Sequence, residues 1–255
     1  MEFGICNLNS IPLRIDASDT SEMVSQILFG EHFTVLEVKN QWLYVKLAFD
    51  GYRGWIDSKQ VIEISKTKFD LLQNTDSFFL KELVNFANHN EKLIPLTIGA
   101  TLPYFKNKSF LINEQSFTID CDVKKYELSK GKVVETSFMY LNAPYLWGGK
   151  TPFGIDCSGF TQMVYKMNGY KLFRDASQQA KQGEVLSFIE ESEPGDLAFF
   201  DNNEGVITHV GIILANNYII HASGKVRLDR LDQSGIYNEE TNRHTHKLRL
   251  IKKIF

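Results

Sequence analysis

Cys157 stands in the run Gly154-Ile155-Asp156-Cys157-Ser158-Gly159-Phe160, between an aspartate and a serine–glycine pair, in a chain with only three cysteines. Beyond it, Phe160, Met163, Val164 and Met167 fall at i, i+3, i+4 and i+7, one face of a helix, and Asn168-Gly169 supplies a stop. Asp156 suits the N-cap of that helix, which puts Cys157 in its first turn. Unsatisfied backbone N–H groups and the helix dipole favour an anion there, and the thiolate is the nucleophilic form of cysteine. Read alone, Cys157 is as well described as a small buried hydrophobe. Cys6, in an irregular N-terminal stretch, and Cys121, in a strand-rich one, keep that second reading.

A thiolate nucleophile needs a base, and the base needs a group to orient it. Of the six histidines, His32, His89, His244 and His246 sit among charged or polar neighbours and read as solvated. His209 and His221 lie in THVGIILANNYIIHAS, two apolar strands around an Asn216-Asn217 turn. A three-residue loop over 215–217 pairs Leu214 with Tyr218 and Gly211 with His221. His209 is then a diagonal neighbour of His221 on the same face. A two-residue loop would send the two rings to opposite faces, so the catalytic reading demands the longer one. Three further readings stay open at this point. Two strand histidines are often structural; Cys157, His209 and His221 are also a possible three-ligand zinc set with water in the fourth position. A non-catalytic binding protein is the third.

The elements that would position these residues occupy the second half of the chain. From about residue 130 the pattern is helix, glycine-rich loop, helix, then strands, an α+β domain reaching Phe255. Residues 1–65 read instead as short strands over Phe33-Thr34-Val35-Leu36, 42–47 and Gly54-Trp55-Ile56, with turns at Lys39-Asn40-Gln41 and Asp50-Gly51. That spacing suggests a small barrel. In DSFFLKELVNFANH, Phe79, Leu80, Leu83, Val84 and Phe86 approach helical spacing and predict a helix. Turns at Gly99 and Asn107 mark a second small β-unit after it. No clean internal repeat is present.

Composition bounds the rest. With 255 residues, 43% hydrophobic and 23% charged, the chain is of ordinary globular type, long enough for one large or two to three small domains. A net charge of −3 gives no electrostatic reason to expect nucleic acid or an anionic membrane as partner. The N-terminus MEFGICNLNSIPLRID lacks a basic segment and apolar core of secretory type, and no run approaches the roughly 18–20 apolar residues of a membrane span. Three widely spaced cysteines are not a disulfide framework. A cytoplasmic monomer is the expectation.

PYLWGGKTPFGIDCSGF, followed in order by THVGIIL and IIHAS, resembles the NlpC/P60 cysteine peptidases over roughly residues 130–255. SEMVSQILFGEHFTVLEV and WLYVKLAFDGYRGWI resemble a bacterial SH3-like domain. Together they look like the γ-D-glutamyl-L-diamino acid endopeptidases, of dipeptidyl-peptidase VI type. The resemblance implies an α+β, papain-like catalytic domain at 129–255 preceded by two small SH3-like β-barrels. The first would span 1–65, and a helical linker with the second would span 66–128.

By the same resemblance Cys157 is the nucleophile, His209 the general base and His221 its orienter. Asp156 and Ser158 would hold the ammonium of an N-terminal L-Ala, and Trp147 would wall the pocket. Arg174 and Asp175 would meet the D-glutamate, a guanidinium being suited to its free carboxylate. Glu22 and Tyr52, from the first barrel, would read the alanine ammonium, with Glu31 a substitute for Glu22. The first barrel would restrict the cleft to short peptides. The implied substrate is a murein peptide, L-Ala-γ-D-Glu joined to meso-diaminopimelate or L-Lys, and no metal or organic cofactor is implied.

Overall fold

Turns at Asn40 and Gly51, both at positive φ (53° and 75°), fold the first sixty residues into short antiparallel strands, as the turn signals predict. The computed structural model describes residues 1–75, 78–125 and 128–255. They form two units, Met1–Tyr126 with Trp147–Pro152, and Glu127–Leu146 with Phe153–Phe255. Both are mostly β. No helix among the described residues is long and apolar enough to cross a membrane.

In the first unit, β1 (Phe3–Cys6), β2 (Ser10–Arg14), β3 (Met23–Leu28), β4 (His32–Lys39), β5 (Trp42–Leu47), β6 (Arg53–Asp57) and β7 (Val61–Ile64) share one sheet, in the order β3-β2-β6-β5-β4-β1-β7. Alternate residues such as Ile11, Leu13, Phe33, Val45 and Ile56 point into its core. Cys6 lies in that core, where burial pushes its thiol up to about 12, as suits a small hydrophobe.

The helix expected over DSFFLKELVNFANH is absent. Asp76 and Ser77 lie outside the described residues, and the rest forms β8 (Phe78–Leu80) and β9 (Val84–His89). The helical spacing misleads because its members share no buried face. Phe79 and Leu80 are buried, but Leu83, Val84 and Phe86 are exposed. The helix comes earlier, as α1 (Lys66–Asn74), capped by Ser65, whose hydroxyl accepts the Lys68 N–H at 3.3 Å. The second β-assembly continues with β10 (Lys92–Thr97), β11 (Thr101–Leu102), β12 (Ser109–Ile112), β13 (Gln115–Thr118) and β14 (Val123–Lys125). These pair as β10-β9-β13-β12 and β11-β8-β14. Phe29 of the first assembly meets Phe110 and Phe117 of the second edge-on, at 5.7 and 5.8 Å, so the two share one apolar core. The short strand β15 (Lys150–Thr151) also belongs to this unit.

The second unit contains α2 (Lys130–Phe138), β16 (Gly154–Ile155), α3 (Cys157–Met167), α4 (Ala176–Gln179), β17 (Glu184–Leu186) and β18 (Leu197–Asp201). Then come β19 (Ile207–Leu214), β20 (Tyr218–Ser223), β21 (Lys225–Asp232), β22 (Gly235–Asn238) and β23 (Arg243–Lys253). The sheet runs β17-β23-β18-β19-β20-β21-β22, and β22 pairs with β23 again, so the six strands from β18 close on themselves. Closure removes the sheet edges from this part of the fold.

The helix read from the Cys157 run is α3, ending at Asn168 before Gly169 at φ +87°. It is more deeply set than one apolar face implies, with all eleven residues buried, Thr161, Gln162 and Lys166 among them. It packs on β19 and β20. The β19–β20 hairpin has the three-residue loop, pairing Leu214 with Tyr218 and Gly211 with His221.

Candidate active site

Asp156 begins α3 in extended conformation, and its carboxylate accepts the Gly159 N–H at 2.7 Å. This cap fixes Cys157 at the first helical position. The sulfur lies against β19 on both sides of His209. Its S–H reaches toward the Thr208 carbonyl at 3.9 Å, and the Val210 N–H points back at the sulfur.

The hairpin register brings the two imidazoles together, with His209 Nε2 and His221 Nδ1 sharing a hydrogen bond of 2.8 Å. His221 Nε2 in turn lies 2.9 Å from Asp229 Oδ2 on β21. The protons can be assigned along this chain. A carboxylate only accepts, so His221 carries its proton on Nε2 and accepts through Nδ1. His209 then donates through Nε2, and its Nδ1 keeps a lone pair, the form a general base requires. Asp229 is itself clamped by Arg227, through Nε at 2.8 Å and Nη2 at 3.1 Å. Burial opposes its charge, but the bonds from His221 and Arg227 hold its carboxyl below the usual range.

Burial sets the protonation of the pair. It is the largest cause lowering His209 well below the ordinary histidine value, with His221 and His246 adding to it. Burial also lowers His221, against the pull of Asp229. The Cys157 thiol is pushed up to about 12, first by burial and then by the charge of Asp156. The resting pair is thus thiol and neutral imidazole, not the thiolate that the helix start alone would favour. For the sulfur to act as a nucleophile, its proton would have to pass to a base such as His209. Because the two imidazole nitrogens point at one another, the three side chains do not converge as zinc ligands would.

Arg174 makes the bidentate pairing expected of it, but with Asp156. Nη1 lies 3.0 Å from Oδ1 and Nη2 2.6 Å from Oδ2, and Nη1 also donates to Ser158 Oγ at 3.0 Å. The guanidinium is 1% exposed, so its partner is the helix cap. Asp175 caps the four-residue α4. Gln179, from the same helix, donates to the carbonyls of Ser158 and Phe173 and accepts from the Thr161 hydroxyl. It therefore ties the Arg174 loop to the start of α3.

The remaining candidates lie in the first unit. The Trp147 indole donates to Glu22 Oε1 at 2.6 Å, joining two residues far apart in the chain. Trp147 is 61% exposed, a large apolar surface beside a carboxylate. Gly148 follows at φ +76°, and a Cβ there would stand 2.3 Å from the Met23 carbonyl oxygen, so only glycine lets the chain run so close to β3. Lys150 places its N–H on Gln26 Oε1 at 2.7 Å and its ammonium 3.2 Å from Glu31. Glu31 is buried in that ion pair and also accepts the Leu28 N–H, whereas Glu22 is exposed. Tyr52 packs partly buried against the first core.

Sequence reading missed Asp229, Gln179 and His246. His246, read as solvated, stacks on the His209 ring with centroids 4.1 Å apart and planes inclined by 26°. The first five residues of its strand, RHTHK, are all polar or charged, which from sequence signals an exposed edge. Only closure of the sheet turns that position toward the site.

A family model described as the NlpC/P60 family matches residues 142–246, and one described as the bacterial dipeptidyl-peptidase Sh3 domain matches 13–61. A γ-D-glutamyl-L-lysine dipeptidyl-peptidase of Bacillus subtilis is 31% identical over 219 residues, 78% of this chain and 71% of its own. A dipeptidyl-peptidase 6 of Lysinibacillus sphaericus is 28% identical, over 86% of this chain and 89% of its own. The crystal structure of an NlpC/P60 family protein from Bacillus cereus covers 99% of both chains with a TM-score of 0.81; at 20% identity this is a likeness of fold.

Proposed function

Since the chain belongs to the NlpC/P60 family and is a cysteine-type peptidase, we propose that it hydrolyses the γ-D-Glu–diamino acid bond of murein peptides bearing a free N-terminal L-Ala. It would act in the cytoplasm, on peptides released for recycling. What carries the reading is one conjunction: a match to the bacterial dipeptidyl-peptidase Sh3 domain, and a relative named for the γ-D-glutamyl-L-lysine linkage. That name makes L-Lys the first diamino acid to try, beside meso-diaminopimelate. We also read the second β-assembly as a further SH3-like unit.

In this mechanism the Cys157 sulfur attacks the γ-carbonyl carbon while its proton passes to His209 Nδ1. First-turn amides of α3 not taken by Asp156 supply the oxyanion donors, each typically worth about 3–4 kcal/mol. His209 then protonates the departing amine, leaving a thioester of L-Ala-D-Glu. Water, deprotonated by the same base, releases the dipeptide and restores the thiol. His221 and Asp229 hold the base in its working tautomer. Asp156, Ser158, Glu22 and Tyr52 read the alanine ammonium, Trp147 forms an apolar wall, and Asp175 meets the D-glutamate. Arg174 serves by fixing Asp156.

The test offers the protein L-Ala-γ-D-Glu-L-Lys, its diaminopimelate counterpart and N-acetylated copies of both, with products read by mass spectrometry and Cys157→Ala as control. Release of L-Ala-D-Glu by the wild type alone, from free-amine peptides alone, is expected. Equal cleavage of the acetylated copies would remove the ammonium-reading roles of Glu22 and Tyr52. No cleavage of any peptide would refute the substrate.

A further inference from the structure

We propose that His246 is a positioning residue for the general base, its ring stacked on one face of His209 so as to hold that imidazole in the orientation that meets His221. Three contacts define the His209 ring: the hydrogen bond to His221, the His246 stack, and Phe200 at 5.7 Å between centroids with planes inclined by 47°. The hydrogen bond fixes Nε2 but leaves the ring free to swing about that contact. A ring face at 4.1 Å, inclined by only 26°, removes this freedom, because an imidazole rotating about the bond would strike it. His246 is itself anchored, its Nδ1 lying 2.9 Å from the Thr245 hydroxyl, and Phe200 meets it at 6.0 Å.

The charge environment fits a neutral stack. His246 is lowered to about 4, by burial first and then by His221, with Asp229 opposing. At neutral pH, therefore, no cation lies on the base. The charged and titratable groups that bear on the two rings, among the described residues, are His221 from β20, Asp229 with Arg227 from β21, and Cys157 from α3. From β18 the neighbour is Phe200, and Asp201 there faces Arg249 at 3.6 Å. His244, on the strand that carries His246, is paired with Asp232.

The inference rests on His209 as base and not on any particular peptide, so its test includes a readout that needs no substrate. His246→Phe keeps an aromatic face without a titrating nitrogen; His246→Gln keeps polarity without a ring. Histidine-selective NMR titration follows the His209 ring in each variant, thermal melting confirms folding, and kcat and KM are measured on whichever peptide is cleaved. In His246→Gln we expect the His209 titration to move up toward the ordinary histidine range, and kcat to fall about ten- to hundredfold with KM little changed, the scale of a misplaced catalytic group. His246→Phe is expected to keep both close to wild type. Wild-type titration and kcat in His246→Gln would overturn the proposal. So would equal losses in the two variants, which would assign the effect to the His246 nitrogens instead of its face.

Discussion

The first turn of a helix stabilises an anion by about 0.3–1 kcal/mol, less than one pKa unit. At Cys157 burial and the Asp156 charge work against that, and they prevail, leaving the thiol pushed up to about 12. Cys157 is therefore protonated at rest, and His209, its own value lowered, is neutral. Inactivation by iodoacetamide should then accelerate steadily from pH 6 to 9, with no plateau. A plateau near neutrality would mean a resting thiolate and would sink this account. At this scale the sequence exposed Cys157, His209 and His221 because a capped helix start and a hairpin register are local patterns. His246 was hidden because it reaches the site through the pairing of β23 with β18, remote in sequence. Asp229 is two residues beyond Arg227, the partner of His221 on the adjoining β20–β21 hairpin, and lay within reach of the same register argument.

At the scale of elements, the β19–β20 hairpin brings His209 and His221 together, and Gly211 is what lets it do so. A Cβ at Gly211 would stand 2.9 Å from His221 Cβ and 2.7 Å from Ile219 Cδ1, closer than side chains tolerate. Gly211→Ala should displace His221, lowering kcat about ten- to hundredfold by misalignment and stability by about 1–3 kcal/mol through overpacking. Steady-state kinetics and urea titration check this; an unchanged kcat would show that the gap does not set the ring. The register was legible because only one loop length puts both histidines on one face. The mistaken helix at Phe79–Phe86 shows the converse. There the apolar spacing served two short strands with different exposures, and the true helix announced itself only by the Ser65 cap.

At the scale of the whole chain, the segment Trp147–Pro152 belongs to the first unit although the residues on both sides of it belong to the second. Its anchor is the Lys150–Glu31 pair, 1% and 6% exposed at the side chains. Lys150→Met strands the Glu31 charge and should cost about 3–5 kcal/mol, whereas the double change with Glu31→Gln should recover most of it. The amide introduced there would still offer an oxygen to the Leu28 N–H. A single-variant cost below about 1 kcal/mol in urea melts would show that the pair does not anchor the segment. Since the chain passes between the units three times, a gene fusion cut at residue 127 would carry away those six residues without the surface that receives them. Recombination at one crossover cannot separate such partners cleanly, so in this lineage the β-rich front and the peptidase are expected to be inherited, and to diverge, as a pair.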